Sequence, residues 1–342
     1  MRKLASIRQI ASIDPIEGAD AIEVATVDGW RVVVKKGEFT PGELALYLEI
    51  DSWVPHELAP FLSKGKEPRE YNGVKGERLR TIKLRGQISQ GLLLPLRPVF
   101  SEWSDENFQK NILDDEERIG DDLTECLGVQ KWEAPIAAQL QGQARGNFPT
   151  EIAPKTDQER IQNCFPKLLR GDFTYEISMK LDGSSMTIFR HEGDLRVCSR
   201  NLELKINEDN ATNSFVQMAN RIGDQIPEGY VFQGELMGPG IQGNREGFKD
   251  LQFFVFDVLE ITGQRYLTPP ERREMVERAG LDHVPVLVTN AKAPDSVEEA
   301  LSLADGPSIH NQIREGLVWK CNEKPEFSFK AISNQFLLKG GE

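Results

Sequence analysis

The segment Tyr175-Glu-Ile-Ser-Met-Lys180-Leu-Asp182-Gly183-Ser184-Ser185 constrains this chain more than any other. Tyr175, Ile177 and Met179 alternate with Glu176, Ser178 and Lys180, a period of two that places one set on each face of a β-strand. Asp182-Gly183 then breaks the strand, because both residue types favour turns. A lysine is thereby presented at a strand end, followed by residues too small to crowd a bulky ligand. An amine attacks an electrophile only when neutral, so a nucleophilic lysine needs a setting where desolvation or neighbouring positive charge lowers its pKa. An ordinary strand-to-turn junction uses the same residue types, so the rest of the chain decides between the two.

Ahead of this segment lies a β-rich region. Ile22–Val27 and Arg31–Val34 are short strands joined through Asp28-Gly29, a strong hairpin signal. Leu44–Ile50 alternates in part, and Gly76–Leu84 and Gly91–Leu96 are further strands. Short strands punctuated by Gly and Pro predict a small barrel or sandwich. Within it Lys64, Lys66, Arg69, Lys75, Arg78, Arg80, Lys83 and Arg85 outnumber Glu67, Glu70 and Glu77. The whole chain carries a formal net charge of -13, so binding a polyanion would rest on such a local patch and not on bulk charge. Lysine-rich strand edges also serve to block unwanted pairing, and the sequence leaves both readings open.

A chain of 342 residues is comfortable for two domains. From Cys126 to about residue 154 the composition shifts to Gln, Ala, Gly and Pro, which predicts a linker between a domain at 1–125 and a second at 155–342. Thr156-Asp-Gln-Glu159 reads as a capping box that starts a helix through Arg160, Ile161 and Gln162. A second helix fits Pro270–Ala279, stopped by Gly280. Cys126, Cys164, Cys198 and Cys321 show no CxxC spacing and the four histidines are isolated, so neither a zinc site nor a disulfide framework is indicated. No apolar run approaches the roughly 20 residues of a membrane helix, and the first residues lack a signal-peptide core. A soluble cytoplasmic protein without a membrane or obligate protein partner is expected.

Lys180-Leu-Asp182-Gly183 resembles the Lys-x-Asp-Gly motif of the covalent nucleotidyltransferases: ATP-dependent RNA and DNA ligases and messenger-RNA capping guanylyltransferases. Further motifs of that superfamily are matched in order along the chain. Val197-Cys-Ser-Arg200-Asn201 resembles the Arg-bearing segment of RNA ligases, and Tyr230–Gly240, with Gly234-Glu235, the third motif. Leu251–Val258 resembles the aromatic strand that follows, Glu315–Lys320 the fourth motif and Phe327–Ile332 the fifth. Many relatives carry two lysines separated by one residue in the fifth motif, whereas Ser328 and Lys330 stand here. The chain ends twelve residues after Lys330, with no room for the C-terminal OB domain of DNA ligases and capping enzymes. The extra mass precedes Lys180, an order similar to the Deinococcus-type RNA ligases with an N-terminal OB-type domain.

The resemblance implies an α+β architecture: an N-terminal OB-type β-barrel, then a nucleotidyltransferase domain built on antiparallel sheets with flanking helices. It implies that Lys180 is the nucleophile toward the α-phosphorus of ATP, and that Lys330 holds that phosphate. Asp182 and Gly183 form the turn at the nucleotide, Arg200 and Glu235 lie at the ribose and phosphates, and Lys320 is a further nucleotide contact. Glu315 and Glu235 would meet Mg2+ or Mn2+. Phe256 supplies the face on which adenine stacks, with Phe254 on the same side as the alternative. Phe253 points the other way, into the core. Arg78, Arg80, Lys83 and Arg85 are expected to meet nucleic acid. The implied reaction is sealing of 3'-OH/5'-phosphate breaks in RNA, or in an RNA-containing nicked duplex, through a lysyl-AMP intermediate, a chemistry suited to RNA repair. A DNA ligase, a GTP-dependent capping enzyme and a non-catalytic RNA-binding protein are the alternatives.

Overall fold

The computed structural model describes residues 3–96, 118–132 and 142–339. They belong to two compact units, Met1–Pro135 and Ile136–Gly341. Among the described residues no helix is long and apolar enough to cross a membrane.

The first unit is built from short antiparallel strands. Ile22–Val27 pairs with Trp30–Lys35. Asp28 and Gly29 between them both have positive φ, 47° and 79°, the backbone twist that a two-residue hairpin requires. Leu44–Leu48 is buried along its whole length, between Ala5–Gln9 and Leu92–Pro95. Its alternation is only partial because both faces are covered. Leu44, Leu46 and Leu48 enter one core with Ile7, Val54 and Leu94, while Ala45 and Tyr47 enter another with Trp30, Val32 and Leu93. The strand expected over Gly76–Leu84 is two strands, Val74–Arg78 and Ile82–Leu84. The chain changes partner between them, pairing first with Ser52–Pro55 and then, through Arg85-Gly86, with Gln87–Ser89.

The segment expected as a linker is structured at both ends. Gln130–Lys131 pairs with Ser52 and Trp53, and Ala144–Asn147 pairs with Leu202–Leu204. Backbone groups in these residues find sheet partners, which composition alone does not reveal. The middle of that segment, 133–141, lies outside the described residues.

The second unit holds two sheets. The larger has eight strands, centred on Ser184–His191, Tyr230–Met237 and Gln252–Glu260. The smaller has five, in the order Glu159–Arg160, Ser328–Ile332, Gly316–Cys321, Tyr175–Lys180 and Val286–Ala291. Helices Ser214–Ile222 and Pro269–Arg278 close the core of the larger sheet, through Val216, Met218, Ala219 and Val276. Ile161–Cys164 and Val297–Ala304 close that of the smaller. Pro269–Arg278 starts one residue before the expected Pro270, with a capping box between Thr268 and Glu271, and Gly280, at φ 64°, follows its end as expected.

The helix expected from Thr156 is a correction. Glu159–Arg160 is a strand, paired in parallel with Phe329–Lys330, and the helix is only Ile161–Cys164. The Thr156 hydroxyl meets the Ser185 hydroxyl at 2.8 Å instead of capping a helix. The open edge of the Ser328–Ile332 strand captures two residues that local capping propensity would have placed in a first turn.

Candidate active site

Lys180 ends the strand Tyr175–Lys180 of the smaller sheet, and four residues later Ser184 begins a central strand of the larger one. The Lys180–Gly183 turn is therefore the crossing between sheets. Beside it a small apolar cluster joins Met179 and Leu181 to Met237 and Val284, with Phe248, Phe254, Phe256 and Ile309 packed against it. Gly183 cannot carry a side chain: a Cβ there would lie 2.5 Å from the Leu236 carbonyl oxygen and 2.9 Å from Glu235 Cγ. That close approach lets the Gly183 N–H donate to Glu235 Oε1 at 3.0 Å, so the turn itself orients a carboxylate.

Lys180 Nζ lies 2.6 Å from Glu315 Oε1. Glu315 immediately precedes the strand Gly316–Cys321, whose Gly316 is the register partner of Lys180. Burial alone would lower the Lys180 pKa, but the carboxylates of Glu315, Glu235 and Asp182 outweigh it and hold the ammonium above the ordinary lysine value. This corrects the expectation of a depressed pKa for the unliganded chain. Burial also pushes the Glu235 carboxyl up to about 7, with Glu315 adding to the effect. Asp182 rises to about 6, from burial and the Glu315 charge, even with Arg245 at 3.3 Å.

Lys330 shows the pattern expected of a nucleophile. Burial, then the charges of Lys180 and Arg160, bring it down to about 7. A lysine in the unfolded chain titrates near 10.4, so between about pH 7 and 10 the unfolded chain binds more protons at this position and stability rises with pH. Replacing Lys330 with Met should therefore stabilise the unliganded protein at pH 7, by a margin that shrinks toward pH 10. Thermal midpoints of both proteins across that range test this, and a margin independent of pH would refute it.

Arg200 pairs with Asp157 at 2.7 Å, both half-exposed. Phe253 is buried at 4% exposure in the core of the larger sheet. Phe254 and Phe256 both face the cluster beside Lys180. They share a face because they stand two residues apart on one strand, and a β-bulge, where the register skips Phe256 between Gln233–Asp257 and Gly234–Val255, shifts the alternation only beyond them. Phe254 additionally meets Phe248, ring centroids 5.8 Å apart.

Lys320 does not join the Lys180 group. Its ammonium donates to both Asp257 carboxylate oxygens, at 2.5 and 2.6 Å, and to the Pro325 carbonyl at 3.2 Å, so all its donors are used. Arg272 extends this buried cluster, pairing with Glu176 and lying 3.7 Å from Asp257, and Arg273 also pairs with Glu176. Arg160 is a residue that motif reading missed. It is buried, pairs in register with Lys330 and adds positive charge there. A lone Arg before a short apolar run gives no sequence signal of such a role.

Residues 173–332 match the family model described as RNA ligase, and residues 4–96 an OB-fold domain. Three solved structures of Naegleria gruberi RNA ligase are similar over nearly the whole of both chains at 42% identity. A lysine-to-alanine mutant with ATP and Mn has TM-score 0.83, covering 99% of each chain. A lysine-to-methionine mutant with AMP and Mn matches equally well, with the same coverage. A complex with PPi has TM-score 0.82, covering 100% of this chain and 99% of that one. This chain belongs to the RNA ligase family. Comparison with curated protein sequences finds no match.

The ligase thus carries an N-terminal OB-fold unit and a sheet-rich C-terminal unit, the order its motifs imply. Among its described residues no group of three or more His, Cys, Asp or Glu is placed to hold a metal. Glu315 and Glu235 converge on Lys180, and two hard oxygen donors fit a Mg2+ or Mn2+ that draws its other ligands from phosphate and water. In the OB-fold unit the basic patch divides. Arg69 pairs with Glu77 and Lys75 with Glu67. Arg78 pairs with Asp51 and lies over the Trp132 ring at 3.9 Å. Arg80, Lys83 and Arg85 are exposed, and among the described residues they form no ion pair.

Proposed function

We propose that the chain is an ATP-dependent RNA ligase acting through lysyl-AMP. The observation that carries this reading is one amine, Lys180, held 2.6 Å from Glu315, with Glu235 and Lys330 acting on the same group. The Lys180 amine attacks the α-phosphorus of ATP, forming a P–N bond and releasing pyrophosphate. AMP then passes to an RNA 5'-phosphate, and a 3'-hydroxyl attacks that activated end and expels AMP.

Before the first attack Lys180 must lose a proton that its carboxylate neighbours help it keep. When bound, a divalent cation supplies positive charge that offsets those carboxylates and neutralises the phosphates. Arg160 adds fixed positive charge beside Lys330, and Lys330, which takes up its proton more firmly beside a phosphate, is placed to hold the α-phosphate as charge develops on it. Phe256 or Phe254 offers the stacking face for adenine, and Arg200 with Glu235 meets the ribose and phosphates. Lys320, committed to Asp257, supports the sheets and does not touch the nucleotide. Arg80, Lys83 and Arg85 meet the RNA backbone, while Arg78 stiffens the strand beneath them. The free cysteines, three of them buried, suit a reducing compartment and a cytoplasmic enzyme of RNA repair.

Label transfer from each α-labelled nucleoside triphosphate tests the nucleotide, and nicked duplexes ending in an RNA or a DNA 3'-hydroxyl test the polymer. The expected result is label from ATP alone and faster sealing at RNA ends. Label from GTP would redirect the reading to capping, and equal sealing of DNA would remove the RNA preference.

A further inference from the structure

The turn at Lys180 is gripped by a loop that none of the matched motifs contains. After the strand Tyr230–Met237, residues 242–247 fold into a tight excursion with positive φ at Gln242, Gly243, Asn244 and Gly247. Asn244 closes it, donating to the Phe248 carbonyl at 2.8 Å and accepting from the Phe248 N–H at 3.0 Å. Two adjacent side chains then reach different parts of the site. Arg245 pairs with Asp182 of the Lys180 turn and lies over the Phe336 ring, 4.8 Å from its centroid. Glu246 reaches the segment that leads into Glu315: one of its carboxylate oxygens accepts from the Ser308 hydroxyl and from the His310 N–H, both at 2.9 Å.

The segment 306–314 bonds mainly to itself and its neighbours. Ser308 N–H donates to the Gln312 carbonyl at 2.8 Å, Gln312 N–H to the Ser308 hydroxyl at 3.0 Å, and Arg314 Nε to the Ala304 carbonyl at 2.9 Å. It forms a compact unit whose attachment to the larger sheet runs through Glu246, through His310 Nδ1 at 2.6 Å from the Glu246 carbonyl oxygen, and through Ile309 and the His310 ring against the aromatic cluster. Glu315 begins directly after it.

We propose that Glu246 is a positioning residue for ATP binding: it ties segment 306–314 to the larger sheet and so keeps the Glu315 carboxylate at Lys180. The proposal rests on the ligase reading above. Loss of the tie lowers the fraction of molecules competent to bind without altering the reacting groups, so bound ATP can restore the arrangement at a cost in apparent affinity. Glu246→Ala removes a carboxylate acceptor of two hydrogen bonds, which should raise the half-saturating ATP concentration for label transfer about tenfold while the rate at saturation changes less than about threefold. Glu246→Gln keeps an acceptor oxygen and should stay close to wild type.

The experiment is single-turnover label transfer from α-labelled ATP with Mn2+ against ATP concentration, in wild type and both variants. Half-saturation unchanged in Glu246→Ala overturns the proposal. So does a fall in the saturating rate with half-saturation unmoved, or a Gln variant as impaired as the Ala variant. If Glu246→Ala does not fold, Ser308→Ala, which removes the hydroxyl that donates to Glu246 and accepts from the Gln312 N–H, decides between a smaller rise in half-saturation and none. An unlabelled wild type would refute the ligase reading itself, an outcome separate from any difference among variants.

Discussion

Lys180→Ala should lose all label transfer from ATP and all sealing of 5'-phosphate RNA, yet still join an RNA whose 5' end already carries AMP. The side chain is needed to break the bond between the α- and β-phosphates, because only that step forms a bond to its nitrogen. Once AMP sits on the 5'-phosphate, the remaining displacement depends on positioning and charge from other groups, among them Glu235, Glu315 and Lys330. The effect on the first step should exceed about a thousandfold, as for removal of a covalent nucleophile. Gel assays on both substrates measure it. Retained ATP-dependent sealing would show that another residue carries AMP, and equal loss on both substrates would show that the substitution disrupts the site as a whole.

The second large effect lies away from the nucleotide. Asp257→Ala should leave the buried Lys320 ammonium and the Arg272 guanidinium without their shared carboxylate. Breaking a buried ion pair on one side costs about 3–5 kcal/mol, which for a unit of this size lowers the thermal midpoint by roughly 10 °C. Converting the pair to apolar residues of similar volume, Asp257→Leu with Lys320→Met, should recover much of that loss, since the cost comes from an uncompensated buried charge. Calorimetry of the two variants separates the cases. A fall of less than about 2 °C in the single variant would mean that solvent reaches Lys320 and screens it.

The strands and their order were legible because the residues that matter alternate along short apolar runs and end at Asp-Gly or Gly, signals that need no partner to be read. Lys180 stood out for that reason, whereas Glu235, Glu315 and Lys330 were singled out by the resemblance of their segments to nucleotidyltransferase motifs, and the structure brings the four together. Glu176 alternates in phase with Lys180 and looks equivalent to it, yet it is buried at 1% exposure against Arg272 and Arg273. Period two gives the face of a strand but not what covers that face. The surroundings of Lys320 are hidden for the same reason, because its partner Asp257 comes from a strand of the other sheet. Arg160, Arg245 and Glu246 were invisible: each acts across more than 20 residues of chain from a loop or strand end without periodic pattern. Arg78 reads like its basic neighbours until Asp51 and Trp132 are seen around it.

The ion pair between Lys180 and Glu315 also bears on what the resting enzyme meets in a cell. A neutral amine is open to aldehydes, acyl phosphates and other adventitious electrophiles, whereas an ammonium locked to a carboxylate is inert toward them. The lysine that must react once per cycle is thus held in its unreactive form until its proper substrate arrives.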